Sequence, residues 1–391
     1  MLRTPFLFAV FCLILSSPCL ARNSFVYVSN YGDGTISQFR ESSNGKLTPL
    51  RPPTVQAHIL CHSLAVARGR FLYAVSARDW SKRHCLVSQF RIAANGTLHS
   101  LSPEWVFLLG TPASIAVEPT GRFAYVFNRQ GTVTQFRIEA DGQLSPLSPA
   151  ILHVARAGGV TPIVGFDKRH HILYGSYIVA WLDTVSSGTF SCRIGNDGRL
   201  KLLPTVQNNY QSVQLTKRWV SSPYSLSITP NGKFAYISES LHDNHLATQW
   251  RNVVAQCRTR SDGHLASLSP GIINVESAGK SFVDSMGHFL YLLSEKTNDI
   301  NLTASYCLAF AHIEPNGRLR KFAYQTLKIP AAQPPIQEFS LAFDHTGYFC
   351  YFAEGNYLYL FRRNANGSLS PLRPARINTG YGPLGIACVH R

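Results

Sequence analysis

Four tryptophans, Trp80, Trp181, Trp219 and Trp250, stand near a set of cations: Arg78, Lys82, Arg83, Lys217, Arg218 and Arg251. Indole rings stack on sugars and other planar ligands, while guanidinium and ammonium groups hold carboxylate or phosphate. Together they describe a groove for an anionic or carbohydrate ligand, with Trp80, Arg83, Trp181, Arg218, Trp219, Trp250 and Arg251 as its binding candidates. The same surface suits a protein partner. The competing reading is that the indoles pin long loops onto one another while the cations stay solvated. The stretch HDNH at 242–245 has H-x-x-H spacing but no third ligand is specified, and His170-His171 reads as part of a turn. There is no CxxC and no paired zinc spacing, so the sequence specifies no metal and no cofactor. Asn95-Gly-Thr, Asn301-Leu-Thr and Asn366-Gly-Ser fit the pattern of a glycosylation acceptor.

What positions these residues is a repeat. A turn written Asn-Gly or Asp-Gly recurs seven times, with glycines at 45, 96, 142, 198, 263, 317 and 367, spaced 51, 46, 56, 65, 54 and 50 residues apart. In the unit GRFAYVFNRQGTVTQFRIEADGQLSPLSP, runs at 123–128 and 132–138 alternate as half-buried strands do, and further runs lie at 113–117 and 147–153. Four strands per period and seven periods predict an all-β, seven-bladed β-propeller of four-stranded antiparallel blades. The two ends support closure. The N-terminal FVYVSN is a second strand, the C-terminal PLGIACV is a first strand, and 24 residues follow Gly367 while 24 run from Arg22 through Gly45. The C-terminal strand is therefore expected to join the N-terminal blade and close the ring.

In such a meander the short turns (PTGR, ADGQ, PNGK, SDGH) make one regular face. The second-to-third and blade-to-blade connections make the other, with most of the length variation: 77–84, 177–188, 208–222, 239–252, 296–304 and 328–337. Function tends to sit on variable loops held by a rigid scaffold, so the variable face is the expected functional face.

The chain opens MLRTPFLFAVFCLILSSPCLA, one Arg and then an apolar run too short to span a bilayer. This reads as a signal peptide over 1–21, leaving 22–391 as a single propeller domain, secreted or periplasmic, with no transmembrane segment. The formal net charge of +16 favours anionic partners, and outside the cytoplasm nucleic acid is not among them. Two of the nine cysteines leave with the leader, so at least one of the remaining seven is free or paired to another molecule. Cys192 and Cys257 stand where the opening unit has Phe136 and read as small core residues.

The phrase PTGRFAYVFN…VTQFRIEADGQLSPL, with PNGKFAYIS and FVYVSNYGDGTISQFR, resembles the lactonase family of seven-bladed propellers, which includes 6-phosphogluconolactonase and muconate lactonising types, alongside YVTN-type repeat proteins. The resemblance implies a possible lactone hydrolase, in which a cation steadies the oxyanion and a carboxylate or His moves a proton. The catalytic members carry Pro-Arg-His with a Glu after Asn on the next strand, and a Pro-His-x-His-Ser stretch. Here Tyr224 and Ser225 stand at the Arg-His positions, Glu239 falls on the Asn position, and Ser240 takes the Glu position. Ala113, Ser114 and Arg129 replace the same set in blade three, while Glu295 keeps the Glu position opposite Gly279 and Lys280. His62 matches the second His of the other motif, with Cys61 before it. The catalytic candidates are thus His62, Glu239 and Glu295. The expected function is a ligand- or partner-binding propeller, with an altered lactonase and a purely structural scaffold as alternatives.

Overall fold

The computed structural model describes residues 23–391 except 59, 77–84, 156–159, 182–183, 204–218, 244–249, 299–302 and 330–339. At 160–164, 178–181, 184–187, 219–222, 242–243, 250, 296–298 and 303–304 it describes the backbone alone. Seven four-stranded antiparallel sheets form, each a simple meander, and no helix occurs among the described residues. The innermost strands of blades 1 to 7 are Pro383–His390, Cys61–Ala67, Pro112–Val117, Val160–Asp167, Trp219–Ile228, Lys280–Val283 and Ser340–Phe343. The C-terminal strand pairs antiparallel with Ser24–Asn30, Phe25 opposite Val389, so both chain ends share blade 1 and close the ring. The predicted strands Phe123–Asn128 and Thr132–Ile138 form with those bounds, and the outer strand of that blade starts earlier than expected, at Leu144–His153.

Each second strand carries a tyrosine two places after a phenylalanine, or after Ile172 in blade 4. Tyr27, Tyr73, Tyr125, Tyr236 and Tyr291 are fully buried, and each donates its hydroxyl to the turn glycine carbonyl of the next blade: Gly96, Gly142, Gly198, Gly317 and Gly367, at 2.6 to 2.9 Å. A glutamine on the third strand completes the clamp. Gln38, Gln89, Gln135 and Gln256 donate to the carbonyl of a proline in their own outer strand (Pro52, Pro103, Pro149, Pro270) and accept from a leucine N–H of the next blade. The turn glycine itself is compelled. At Gly142 φ is +96°, and a Cβ there would fall 2.2 Å from Phe71 of the preceding blade. An arginine opposite that phenylalanine covers its ring from outside, as Arg91 does for Phe71 at 5.8 Å.

At the seam from blade 7 to blade 1 the glutamine place holds Leu360. There Tyr351 donates to Glu41 at 2.7 Å, with the Gly45 carbonyl at 3.4 Å. Burial pushes the Glu41 carboxyl from its ordinary 4.5 up to about 7, against the lowering effect of the Tyr351 bond and with the Asp344 charge adding to the rise.

Cys61, Cys192, Cys257, Cys350 and Cys388 are free thiols, and Cys192 and Cys257 are buried at the place Phe136 takes in blade 3, as expected. The described flanks of three of the expected loops are strand. The ladders run on to Trp181, Asp243 and Asn298 and resume at Thr184, Trp250 and Thr303, because main-chain partners stay in register well past the point where hydrophobic alternation ends: Trp181 faces Thr184, His242 faces Trp250 and Asn298 faces Thr303.

Two measurements test these contacts. Gln135→Ala strips partners from the buried Pro149 carbonyl and Leu200 N–H, and urea unfolding should register a loss of about 2–4 kcal/mol; an unchanged midpoint would deny the clamp its role. Glu41 binds its proton more tightly folded than unfolded, so its contribution is complete below pH 4.5 and is lost as pH rises to about 7. Glu41→Gln should therefore flatten the decline in stability across that window, read as Tm against pH.

Candidate functional site

The variable face is not level. In blades 1, 3 and 7 the second strand stops at Asn30, Asn128 and Glu354, and the third begins within a few residues at Thr35, Thr132 and Tyr357. In blades 4, 5 and 6 the hairpin goes on past the equivalent Tyr177, Glu239 and Ser294 to Trp181, Asp243 and Asn298. Four further residues at the rise of a strand lift these hairpins roughly 13 Å above the rim. Three adjacent blades thus carry a wall along one side of the ring. Trp181 ends the rising strand of blade 4. In blade 5, Trp219 lies opposite Asp243 and Trp250 opposite His242, which places the two tryptophans on the strands flanking one hairpin strand. Arg251 is exposed and donates to Asn274 at 3.1 Å. Trp80, Arg83 and Arg218 lie outside the described residues, as do 244–249 of the HDNH loop, Asn301 and the leader.

The three catalytic candidates fall on three different parts of the ring. His62 is on the innermost strand of blade 2, at a bulge between Cys61 and Ser63. The same bulge holds Ala113 in blade 3 and Tyr224 in blade 5. A bulge re-aims the extra side chain, and Tyr224 is accordingly 48% exposed. The His62 ring is buried, its Nδ1 donates to the Leu60 carbonyl at 3.0 Å, and its Nε2 has no hydrogen-bond partner. Cys61 beside it is no thiolate: burial pushes its thiol up to about 12 despite hydrogen bonds with Ser76 and Ser29.

Glu239 is 1% exposed and lies opposite Pro223 and Val253. Alternation gives it the same face as Ile237, which packs with Ile172, Tyr174 and Leu226 in the seam between blades 4 and 5. Glu295 pairs with Tyr306 and shares the face of Leu293, in the seam between blades 6 and 7. There the sequence reading missed a partner. Glu354, 3% exposed, stands in blade 7 where blade 5 has Glu239. Burial first, then the charge of and a hydrogen bond with Glu354, and then the Glu295 charge, raise the Tyr306 phenol. Lining up the second strands on their tyrosines would have found Glu354. The structure therefore brings Glu295 together with Glu354 and Tyr306, and brings neither His62 nor Glu239 to them. Among the described residues no group of three or more His, Cys, Asp or Glu is placed to hold a metal.

The opposite end of the channel is hollow. A cavity of about 620 Å³ lies among the innermost strands of blades 3 to 7, lined by Val117, Phe166, Leu226, Ile228, Val283, Leu341 and Phe343 with Ser227 and Ser281. Its hydroxyls bond one another, Ser225 to Ser281 at 2.6 Å and Ser227 to the Ser281 carbonyl at 2.8 Å, and Lys168 at the rim is its one charged residue among those described. Carboxylates do end several inner strands here, but each caps its own turn. Asp284 accepts from His288 N and Phe289 N, and Asp167 holds Arg169 and His170. His170 is thus a turn residue, as its sequence suggested.

With this geometry the molecule is a closed seven-bladed propeller. The sequence pattern of the family described as "Lactonase, 7-bladed beta-propeller" matches residues 26–172, and the resemblance to that family holds. No curated protein matches the chain by sequence. Among solved structures, the periplasmic gluconolactonase PpgL of Pseudomonas aeruginosa is similar over 94% of this chain and 99% of its own, at 18% identity and a TM-score of 0.58. A functionally unknown protein of Desulfotomaculum acetoxidans is similar over 94% and 99% at 11% identity and a TM-score of 0.61, and AztD of Citrobacter koseri over 95% and 98% at 10% and 0.51. Identities this low carry the fold and leave the chemistry to the residues present. No helix among the described residues is long and apolar enough to cross a membrane.

Proposed function

We propose that the protein is an extracytoplasmic binding propeller whose ligand lies against the raised hairpins of blades 4, 5 and 6. The observation that supports this reading is that Trp181, Trp219 and Trp250 all stand on strands of blades 4 and 5 at the height of the raised hairpins, whereas blades 1, 3 and 7 join the same strands by short turns. Tryptophan and Arg251 as residue types on this wall, in a chain of net charge +16, suit an anionic sugar or sugar acid. A protein partner would use the same wall. The leader-like opening supports secretion or periplasmic residence, as does the likeness in fold to a periplasmic gluconolactonase. Titration with gluconate, 6-phosphogluconate and glucuronate should give saturable heats, and Trp219→Ala or Trp250→Ala should weaken them roughly tenfold or more. Affinity indifferent to both substitutions would remove the wall from the binding site.

One observation favours a second reading, a lactone hydrolase with altered groups. His62 Nε2 is a buried acceptor without a partner on an innermost strand, the state in which a general base waits. Against it, no cation replaces the family arginine at Tyr224 or Ala113, and the two other candidates face distant seams. A screen with gluconolactone and 6-phosphogluconolactone should show no turnover above background. Hydrolysis that His62→Ala abolishes would instead establish the enzyme.

A further inference from the structure

A second hollow lies on the flank of the ring, away from the channel and the raised wall. Between blades 1 and 2 a cavity of about 320 Å³ is lined by Val55, Gln56, Ala57, His58, Ser88, Phe90, Leu98, Ser100, Glu104 and Trp105. Two departures from the repeat create it. In blades 1 and 3 the last residue of the second strand is an asparagine whose amide donates to a hydroxyl on the third strand, Asn30 to Ser37 at 3.0 Å and Asn128 to Thr134 at 3.1 Å. Blade 2 has Ser76 at that place, and its shorter side chain turns to the His58 carbonyl at 3.2 Å. Ser88, the counterpart of Ser37 and Thr134, is consequently 3% exposed with a hydroxyl that has no hydrogen-bond partner. Opposite Ser88, where other blades place Thr54 or Ile151, stands Trp105, 38% exposed and held edge-to-face against His58 at a centroid distance of 5.0 Å.

We infer that this seam cavity is a binding site for a neutral polyhydroxylated ring of monosaccharide size. A buried hydroxyl left unpaired costs free energy that a ligand hydroxyl recovers. The partly open indole offers an apolar wall for the C–H face of a sugar, while Ser88, Ser100 and Gln56 offer neutral polar groups around it. Glu104 is the one carboxylate in the lining. It accepts from sugar hydroxyls and repels carboxylate and phosphate, so the site selects neutral sugars where the raised wall favours anionic ones. The cavity volume is at the lower end of that of ordinary small-molecule sites. This site does not depend on the function proposed for blades 4 to 6.

The test is ligand-observed saturation-transfer NMR on the mature protein with glucose, galactose, N-acetylglucosamine and glucuronate. At least one neutral sugar should show saturation transfer that exceeds glucuronate, falls roughly tenfold in Trp105→Ala, and falls severalfold in Ser88→Ala. Ser88→Ala removes an unpaired hydroxyl and should leave the Tm unchanged or raised, which keeps the test independent of folding. Trp219→Ala should leave the signal unchanged, which separates this site from the wall. No transfer from any neutral sugar, or equal transfer in the Trp105 and Ser88 variants, would overturn the site.

Discussion

The structure depends on one contact repeated around the ring: a buried tyrosine hydroxyl of one blade on the turn carbonyl of the next. A blade of four strands cannot bury both of its faces alone, so its stability is held in the seams. Apolar packing in a seam is tolerant of sliding, whereas the tyrosine and glutamine bonds fix register, because each satisfies a particular buried carbonyl or N–H. The turn glycine belongs to the same device. Only a residue without Cβ lets the preceding blade's phenylalanine lie against the turn while the carbonyl beside it receives the phenol.

Three seams depart from this scheme: that between blades 7 and 1, where Leu360 takes the glutamine place and Glu41 receives the phenol, and two more. Between blades 4 and 5 the phenylalanine is Ile172, the glutamine is Ser191, and Tyr174 reaches only the Arg260 carbonyl at 3.4 Å. Once the aromatic ring no longer supports the turn, Leu203 fills the space by Gly263 and the tyrosine is left short. Between blades 6 and 7 the third strand offers Phe310 where the glutamine stood, and Gln325 of the outer strand accepts from Leu369 N–H in its place and donates to the Leu369 carbonyl, so both of its bonds cross the seam. The function of the clamp is retained there although its residue has moved.

The fold was legible because the clamp writes itself into the sequence at fixed offsets. Tyrosine, Gln-Phe-Arg and Asn-Gly or Asp-Gly recur for one physical reason, and the complementary ends of the chain required a closed ring. The site was less legible. The raised hairpins read as loops, since their sequences lose hydrophobic alternation where two-stranded ribbons project beyond the core. Glu239 was correctly placed on the asparagine position, and its burial in a seam follows from that parity. Glu354 and Trp105 were overlooked because each is meaningful only against its counterparts in other blades, Glu239 for the one and Thr54 or Ile151 for the other.

Why the two faces of the ring differ so much follows from the same clamp. In six of the seven blades the turn between third and fourth strands lies against a phenylalanine of the preceding blade, so lengthening it would disturb a seam. The carboxylates that end inner strands, Asp167, Asp284 and Asp344, are consumed by the adjoining first turns. Insertions are left with the opposite face, where a hairpin can grow by adding paired residues to a ladder that is already in register. Each added pair satisfies its own main-chain groups and asks nothing of the neighbouring blade. The asymmetry of blades 4 to 6 is thus what such a scaffold permits. It also explains how the ring can hold its register while the residues at positions 62, 224 and 239 vary, since the tyrosine and glutamine bonds that fix register are made elsewhere on the strands.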